Sequence, residues 1–265
     1  MRLFTDSHVP LTNRLLASLP TADCERLAPH LSRISLFRGQ ALYETGKPIE
    51  QVYFPTDGIV SLAMTSQDGS DLGAGIVGSE GVVGTGAVLK GGPAITQPVV
   101  QVEGSSWQIP TEIFRAEFER AGALRNLVLF YLEALLAQIV QNAVCSRSHT
   151  VEERLCHWLL MIRDRVQSGK LELSLDSLAR TLGTRCSLVT VAAGVLWKAG
   201  LIRFTRDYIV ILDRQGLEER ACGCYRFVNE RSGRRLDSEW LSHSLDKAHI
   251  CPLADRSSLR AISPR

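Results

Sequence analysis

Cysteines and histidines close to the carboxyl end of the sequence are of types that could bind a metal. Cys222 and Cys224 are separated by one glycine, and His243, His249 and Cys251 follow. Thiolate and imidazole groups are ligands that zinc takes in tetrahedral sites. These spacings match no zinc motif, so the favoured interpretation is reduced cysteines and a solvated tail, with no metal and no cofactor.

A second pattern could bind a dinucleotide. Residues 73–78 read Gly-Ala-Gly-Ile-Val-Gly and match the Gly-x-Gly-x-x-Gly fingerprint of NAD-linked enzymes. That chemistry needs a helix that opens at the third glycine, so that its N-terminus meets the pyrophosphate. Residues 79–92 contain five more glycines, which a helix would not tolerate. The sequence also lacks Gly-x-Ser-x-Gly and His-Glu-x-x-His, so an enzyme is not expected.

A third pattern predicts a DNA-binding element. A short helix is expected from Ser174, as its N-cap, to Gly183, as a left-handed stop. A second helix is expected over 187–199. Two short helices joined by a tight turn form a helix-turn-helix, whose second helix can enter a major groove. A hairpin predicted from 201–204 and 208–212 adds a wing.

The charge distribution supports a nucleic-acid partner for this part of the chain. Residues 1–146 carry ten basic and 14 acidic side chains, a net charge of −4. Residues 147–214 carry 11 basic and seven acidic side chains, a net charge of +4. An acidic module joined to a basic one is therefore predicted.

Frequent glycines in the amino-terminal part indicate a β structure with short strands. Between Gly39 and Gly104 lie 13 of the 21 glycines, which leaves room only for short strands. Alternating apolar residues predict four of them, at 52–54, 59–64, 99–102 and 106–109. Short strands at regular spacing indicate a sandwich, barrel or roll. Ahead of them, Leu11 to Leu31 has helical spacing broken by Pro20.

A long helix is expected from about Ala121. One apolar stripe is formed by Leu124, Val128, Tyr131 and Leu135, and another by Leu129, Leu132, Leu136 and Ile139. Two apolar stripes need two covering surfaces. These could be the roll and the same helix of a second subunit, or the helix could be buried inside one large core.

The cell compartment is predicted from the cysteines and from the lack of targeting signals. Seven scattered cysteines, an odd number, indicate reduced thiols. No signal-peptide core precedes Asp6. The most apolar segment, 127–140, is interrupted by Glu133 and Gln138 and is shorter than the ~20 residues of a membrane span. A cytoplasmic protein with no membrane partner is expected.

Six short motifs in a fixed order carry a family resemblance. They are residues 53–58, 77–81, 151–155, 178–183, 198–202 and 211–214. In this order, over roughly Leu11 to Tyr225, the sequence resembles the Crp/Fnr superfamily of bacterial transcription regulators. The resemblance implies an α+β fold: an antiparallel, jelly-roll-like β-roll with flanking helices, a long dimerisation helix and a winged helix-turn-helix.

The resemblance also implies a domain division and partners. The expected units are a cyclic-nucleotide-binding-like roll (1–120), a dimerisation helix (121–146), a winged helix-turn-helix (147–226) and a polar extension (227–265). The expected partners are double-stranded DNA with two-fold-related half-sites, a second copy of the chain, RNA polymerase and a small-molecule effector of unknown identity.

Particular residues follow from these expectations. For the dimer interface they are Leu124, Val128, Tyr131, Leu135 and Ile139. For DNA they are Arg185, Ser187, Thr190, Val191 and Lys198 on the recognition helix, with Arg203 and Arg206 in the wing. Arginines at such places contact phosphates or guanine edges. For an effector pocket they are Gly78, Ser79, Glu80 and Gly81.

The sequence departs from the cyclic-nucleotide binders of the family. Ser79 stands where the ribose-binding Glu is expected, with Glu80 one place late, and no Lys or Arg lies between Lys90 and Arg115. We therefore expect that cyclic AMP is not bound in the usual way. Only Cys24 lies near the amino terminus, so the iron–sulfur cluster of oxygen-sensing relatives is not expected either.

An alternative to the regulator remains open. The recognition helix has Cys186 and Val191 where many relatives present charged side chains. A ligand-binding or protein-interaction module with a degenerate helix-turn-helix would share these features.

Overall fold

The chain folds into an amino-terminal roll, one long helix and a helical module with a small sheet. The computed structural model describes residues 12–65, 71–89, 92–166 and 168–234. Lys90 and the candidate metal ligands His243, His249 and Cys251 lie outside the described residues.

The roll begins with helices α1 (Arg14–Ala17) and α2 (Thr21–Leu27), which Pro20 separates as the sequence predicts. Its strands are β1 (Ser32–Leu36), β2 (Gln51–Pro55), β3 (Ile59–Thr65), β4 (Asp71–Val77), β5 (Gln97–Val102) and β6 (Gly104–Pro110). They form two antiparallel three-stranded sheets, in the orders β1-β6-β2 and β4-β3-β5. The four predicted strands are confirmed, and β1 and β4 were not predicted.

Close packing on strand β4 accounts for Gly73 and Gly75 of the dinucleotide-like motif. A Cβ on Gly73 would lie 2.8 Å from the Thr181 carbonyl oxygen, and one on Gly75 would lie 2.7 Å from Oε1 of Gln138. The glycines are therefore required because helices pack directly on this strand. As expected, no α-helix opens at the third glycine: in the described residues between β4 and β5, the only helical element is a 3-10 turn (Thr85–Val88).

Helix α3 (Thr111–Glu119) closes the roll, and the long helix α4 (Ala123–Ser148) follows it. The long helix was expected over 121–146, but it continues to Ser148 and leaves only His149 and Thr150 before the next helix. With 26 residues, α4 is longer than the apolar segment 127–140 seen in the sequence, and by length and composition alone it could cross a membrane. The core helix of a soluble protein passes the same test.

The packing of α4 corrects the predicted dimer interface. Four of the five residues named for it lie in the core of their own roll: Leu124, Val128, Tyr131 and Leu135 are 2%, 0%, 4% and 7% exposed. Ile139 is half-buried against the same core. Leu124, Val128, Tyr131 and Leu135 are therefore covered within one chain, whereas Ile139 keeps part of its surface exposed.

The carboxyl-terminal module contains the predicted winged helix-turn-helix. Its elements are α5 (Val151–Val166), β7 (Lys170–Leu171), α6 (Leu175–Leu182), α7 (Cys186–Lys198), β8 (Ile202–Phe204), β9 (Ile209–Ile211), α8 (Arg214–Arg220) and α9 (Cys224–Arg234). The small sheet has the order β7-β9-β8, and β7 was not predicted. With the roll and the long helix, the module confirms the predicted α+β fold.

Local signals place the helix ends of this module. The Ser174 hydroxyl accepts a hydrogen bond from the Ser177 amide at 3.2 Å, and Gly183 ends α6 with φ of 58°. Gly200, with φ of 75°, follows α7. Thr150 and Glu153 form a capping box at the start of α5. Hydrogen bonds from Thr150 lower the pKa of the Glu153 carboxyl.

The roll and the module pack against each other. The core between α5, α6, α7 and the small sheet also includes Ile59 of β3 and Ile76 of β4, both buried. The Ser177 hydroxyl of α6 donates a hydrogen bond to Oε1 of Gln101 in β5 at 2.5 Å. Strand β4 thus lies between α4 and the helix-turn-helix.

The first residues of the expected polar extension, 227–234, belong to helix α9. Helix α9 continues to Arg234, and Val228 is 2% exposed because it packs on the core of the module. Two polar contacts hold this end in place. The Tyr225 hydroxyl donates to Oδ2 of Asp164 at 2.7 Å, and Nη1 of Arg214 lies 2.7 Å from Oδ1 of the same carboxylate.

Candidate nucleic-acid interface and sensory pocket

One face of α7 is free to contact another molecule. Ser187, Val191, Gly194 and Lys198 follow one another at intervals of four, three and four residues, which places them on one side of a helix. The opposite side is buried in the module through Val189, Ala193 and Leu196. Ser187, Val191 and Lys198 were predicted for DNA binding and are exposed. Gly194 was missed, and it leaves the middle of this face without a side chain.

The amino-terminal end of α7 presents further polar groups. Arg185 is the N-cap residue, and its side chain is exposed. Thr190 is also exposed, although its hydroxyl donates to the Cys186 carbonyl oxygen at 2.9 Å. A hydrogen bond to Asp176 raises the pKa of the Cys186 thiol, which therefore stays neutral.

The wing holds two of the predicted arginines. Arg203 lies on β8 and Arg206 in the turn before β9, and both are exposed. The Thr205 hydroxyl accepts from the amides of Asp207 and Tyr208 at 3.4 and 3.3 Å, which fixes this turn. In the described part of the chain, no salt bridge includes Arg185, Arg203 or Arg206. Their charges are available to phosphates.

The predicted effector pocket is closed by an ion pair. Nε of Arg165 in α5 lies 2.7 Å from Oε1 of Glu80, and each side chain is 10% exposed. The same carboxylate oxygen accepts from the Gly78 amide at 3.3 Å. A further amide of this turn is also used, since Gly81 N donates to the Gly78 carbonyl oxygen at 3.1 Å. Arg165 was missed because it belongs to the other module.

Helix α4 fills the remaining space. The ring of Tyr131 lies directly on Gly81, where it would contact any Cβ. Oε1 of Gln138 accepts from the Ile76 amide at 2.7 Å. The cavity left between these groups has a volume of about 10 Å³, which is room for roughly one water molecule.

Arg115, the first basic residue after Lys90, is also engaged in hydrogen bonds. Its Nε and Nη2 donate to the Ala87 carbonyl oxygen at 3.0 and 2.9 Å. It therefore ties α3 to the turn after β4.

Cys222 and Cys224 were expected in a solvated tail, but the structure buries both. They are 6% and 3% exposed, just before and at the start of α9, and they contact Cys145 and His149 of the α4 end. No motif in the sequence had linked Cys145 or His149 to Cys222 and Cys224.

Comparisons with known proteins agree with this architecture. The family model of the cyclic nucleotide-binding domain matches residues 33–121, and that of the Crp-like helix-turn-helix domain matches residues 153–220. No curated protein sequence matches the chain.

Solved structures share the fold. A Crp/Fnr-family transcriptional regulator from Eubacterium rectale covers 81% of this chain and 99% of its own, with a TM-score of 0.62 at 16% identity. FixK2 from Bradyrhizobium japonicum covers 72% of this chain and 98% of its own, with a TM-score of 0.61 at 20% identity. The c-di-GMP-responsive regulator CLP from Xanthomonas campestris has the same coverage, with a TM-score of 0.59 at 20% identity.

The roll, the long helix and the winged helix-turn-helix define a two-module DNA-binding regulator. The two family models match these modules in the same order along the chain. The protein belongs to the Crp/Fnr family of transcription regulators.

Proposed function

We propose that this protein is a sequence-specific transcription regulator that binds DNA as a homodimer. The observation that carries the proposal is the free face of α7, which is fixed in the module on one side and exposes Ser187, Val191 and Lys198 on the other. A helix held in this way can enter a major groove. Arg185 is assigned to a guanine edge, and Ser187, Thr190 and Val191 to base edges and thymine methyl groups.

Phosphate contacts are assigned to the cations around this helix. They are Lys198 at its carboxyl end, Arg203 and Arg206 in the wing, and Arg180, which is exposed on α6. Phosphate contacts give affinity and fix the orientation of the protein but carry no direct sequence information. Four cations surround a helix that has few side chains able to contact bases. The affinity of such a regulator for DNA is therefore expected to depend strongly on the salt concentration.

The second copy of the chain is assigned to the outer face of α4. Leu129, Leu136, Val140 and Val144 are 45%, 62%, 55% and 50% exposed, and they lie opposite the face that packs on the roll. A continuous apolar stripe of this kind is costly in water and is typical of an interface between two helices. Two parallel copies of α4 would place two winged modules for two-fold-related half-sites.

The roll is assigned a sensory role that does not use cyclic AMP in the usual way. The Glu80–Arg165 pair, the Tyr131 ring and the small cavity support this assignment. We assign the roll to residues 1–120, the dimerisation helix to 121–146 and the DNA-binding module to 147–226. The protein would act in the cytoplasm, without catalysis, by recruiting or blocking RNA polymerase.

One experiment distinguishes a sequence-specific regulator from the alternative, an interaction module with a degenerate helix-turn-helix. Purified protein is mixed with fragments of the source genome, bound fragments are recovered and sequenced, and an enriched fragment is footprinted at several salt concentrations. We expect enrichment of two related half-sites whose centres are one or more helical turns apart, roughly 34 to 36 Å per turn. Recovery of all fragments in proportion to their abundance would instead favour the degenerate module.

A further inference from the structure

Four metal-ligand side chains meet where the long helix ends. Cys145 lies in the last turns of α4, and His149 directly follows that helix. Their i, i+4 spacing places both side chains on the same side of the chain. Cys222 precedes α9, and Cys224 is its first residue. The fold thus brings together residues that are 77 positions apart, since Cys145 Sγ contacts Cys222 Sγ.

The four ligand atoms lie close enough together to bind one tetrahedral ion. Sγ of Cys145 lies 3.4 Å from Sγ of Cys222, and Sγ of Cys224 lies 3.6 Å from Nδ1 of His149. All four ligand atoms lie within 4.8 Å of one another. Zinc bonds of ~2.3 Å to sulfur and ~2.0–2.1 Å to nitrogen separate two tetrahedral sulfurs by about 3.8 Å, and a sulfur and a nitrogen by about 3.6 Å. Small side-chain rotations suffice to reach this geometry.

The site is closed from solvent. Cys145, Cys222 and Cys224 are 3%, 6% and 3% exposed, and His149 is half-buried. Four protein ligands with no open position are typical of structural zinc, whereas catalytic zinc keeps one position for water.

Groups around the cluster suit bound thiolates. Nε2 of Gln141 donates to Sγ of Cys224 at 2.9 Å. His157 is fully buried beside Cys222, and neither of its ring nitrogens has a hydrogen-bond partner of normal geometry in the described residues. The guanidinium of Arg154 is 8% exposed and interacts electrostatically with Cys145 and Cys222. Arg154 also donates a hydrogen bond to the Leu182 carbonyl oxygen. Three thiolates and Zn²⁺ would carry a net charge of −1, which the nearby guanidinium would offset.

We propose that Cys145, His149, Cys222 and Cys224 bind one zinc ion in a closed Cys3His site. Binding would release the three thiol protons, leave Nδ1 of His149 neutral and form four metal–ligand bonds without any oxidation. Soft thiolate ligands favour zinc over magnesium, calcium or manganese. An iron–sulfur cluster fits less well, because its thiolates bind different iron atoms and lie further apart than these four.

A disulfide between Cys145 and Cys222 is the competing interpretation. It would account for one short contact but not for Cys224, His149 or the unpaired imidazole of His157.

The ion would join two parts of the regulator. Cys145 and His149 belong to the end of α4, which packs on the roll, whereas Cys222 and Cys224 connect α8 and α9 of the DNA-binding module. Loss of zinc should therefore loosen the module from α4. The ion pairs of Arg214 with Asp164 and of Arg220 with Glu152 would still hold α8 on α5.

The decisive experiment measures metal in the full-length protein, prepared without a polyhistidine tag and under reducing conditions. We expect about one zinc per chain by elemental mass spectrometry, and at least a tenfold lower content in Cys145→Ser, Cys222→Ser and Cys224→Ser. Cys156→Ser is the matched control, because this buried thiol of α5 lies in the same module but outside the cluster; it should keep its zinc. Gln141→Ala removes only a hydrogen bond to a ligand and should weaken zinc affinity about 10- to 100-fold.

A second measurement does not depend on the folding of the variants. Wild-type protein reconstituted with cobalt should show the intense visible bands of a tetrahedral site and thiolate-to-cobalt charge transfer in the near ultraviolet. A chelator should remove the bands and lower the melting temperature. Metal-free wild type, an octahedral cobalt spectrum, iron in place of zinc, or equal loss from Cys156→Ser would each overturn the assignment. A Cys145–Cys222 disulfide in metal-free protein would overturn it in favour of a redox pair.

Discussion

Nε of Arg165 and Oε1 of Glu80 lie 2.7 Å apart in a largely buried contact between the two modules. Glu80 belongs to the turn after β4, and Arg165 to the last turn of α5, the first helix of the DNA-binding module. The turn proposed to sense an effector is therefore connected directly to the part of the molecule that is proposed to bind DNA. A ligand that enters this turn has to displace or bridge the ion pair.

We predict that Arg165→Met destabilises the protein strongly, because it leaves the Glu80 carboxylate buried without its partner. Removing one member of a buried pair costs about 3–5 kcal/mol, whereas replacing both members by apolar groups is often close to neutral. Unfolding in urea should therefore show a large loss for Arg165→Met and a smaller one for the double variant Glu80→Leu with Arg165→Met.

The matched control is the exposed pair of Lys170 and Glu172, whose side chains are 55% and 59% exposed. Glu172→Gln should change the free energy of unfolding by less than about 1 kcal/mol. If Arg165→Met costs no more than this control, the buried pair does not hold the modules together.

A second prediction concerns the dimer. Leu136→Glu places two facing carboxylates in the proposed helix interface, where they lose water without gaining a partner. The dissociation constant of the dimer should rise at least 100-fold, or by roughly 3 kcal/mol, while the helical content of each chain is kept. Sedimentation velocity at several concentrations measures this change.

Two controls distinguish an interface from a general effect. Phe37→Glu introduces the same charge at an equally exposed apolar position, 64% against 62%, on the roll, and should leave the dimer intact. Leu135→Glu, one residue away, enters the core of its own chain and should lower the melting temperature instead. A wild-type protein that is monomeric at micromolar concentration would contradict the dimer.

Residues with local signals were predictable from the sequence. Ser174 and Gly183 mark helix ends through their own backbone preferences, and the alternation around Val60 and Val100 is a property of short segments. Contacts across the chain had no such signal: Arg165 and Glu80 are 85 positions apart, and Cys145 and Cys222 are 77 apart. The two stripes of α4 were recognised, but which one faces the roll depends on the rotation of the helix, and Leu135 was therefore assigned to the wrong partner.

A third prediction separates phosphate contacts from base contacts. Arg206→Ala removes one exposed cation from the wing and should weaken binding to all sequences alike. The slope of log affinity against log salt should become smaller by roughly one unit. Arg120→Ala is the control, since this arginine is also exposed, at 59%, but lies on the roll; it should change neither quantity.

A fourth prediction concerns Arg185 at the start of α7. If Arg185 contacts a guanine edge, Arg185→Ala should lose about 1–3 kcal/mol on the selected operator and much less on random DNA. Competition binding with both DNAs at one salt concentration gives the ratio. Equal losses on both would show that Arg185 contacts only the phosphate backbone.

The last prediction concerns the effector. A cyclic phosphate in the roll needs a cation, but Arg165 is paired with Glu80, and Arg115 donates to the Ala87 carbonyl oxygen. Each lost charge-assisted hydrogen bond removes roughly 1.5–3 kcal/mol of binding free energy. We therefore expect that millimolar cyclic AMP or cyclic GMP changes neither the melting temperature nor the affinity for DNA.

The amides of residues 78–81 are the remaining route to an anion, since backbone nests can bind phosphate without arginine. Two of them are already used, because Gly78 N donates to Glu80 and Gly81 N to the Gly78 carbonyl oxygen. The Tyr131 ring also covers Gly81. Scanning calorimetry of wild type and of Glu80→Ala, with and without nucleotide, tests whether a cyclic nucleotide binds here. A thermal upshift with cyclic AMP in the wild type that disappears in Glu80→Ala would mean that the ion pair opens and that the ordinary cyclic-nucleotide mechanism operates.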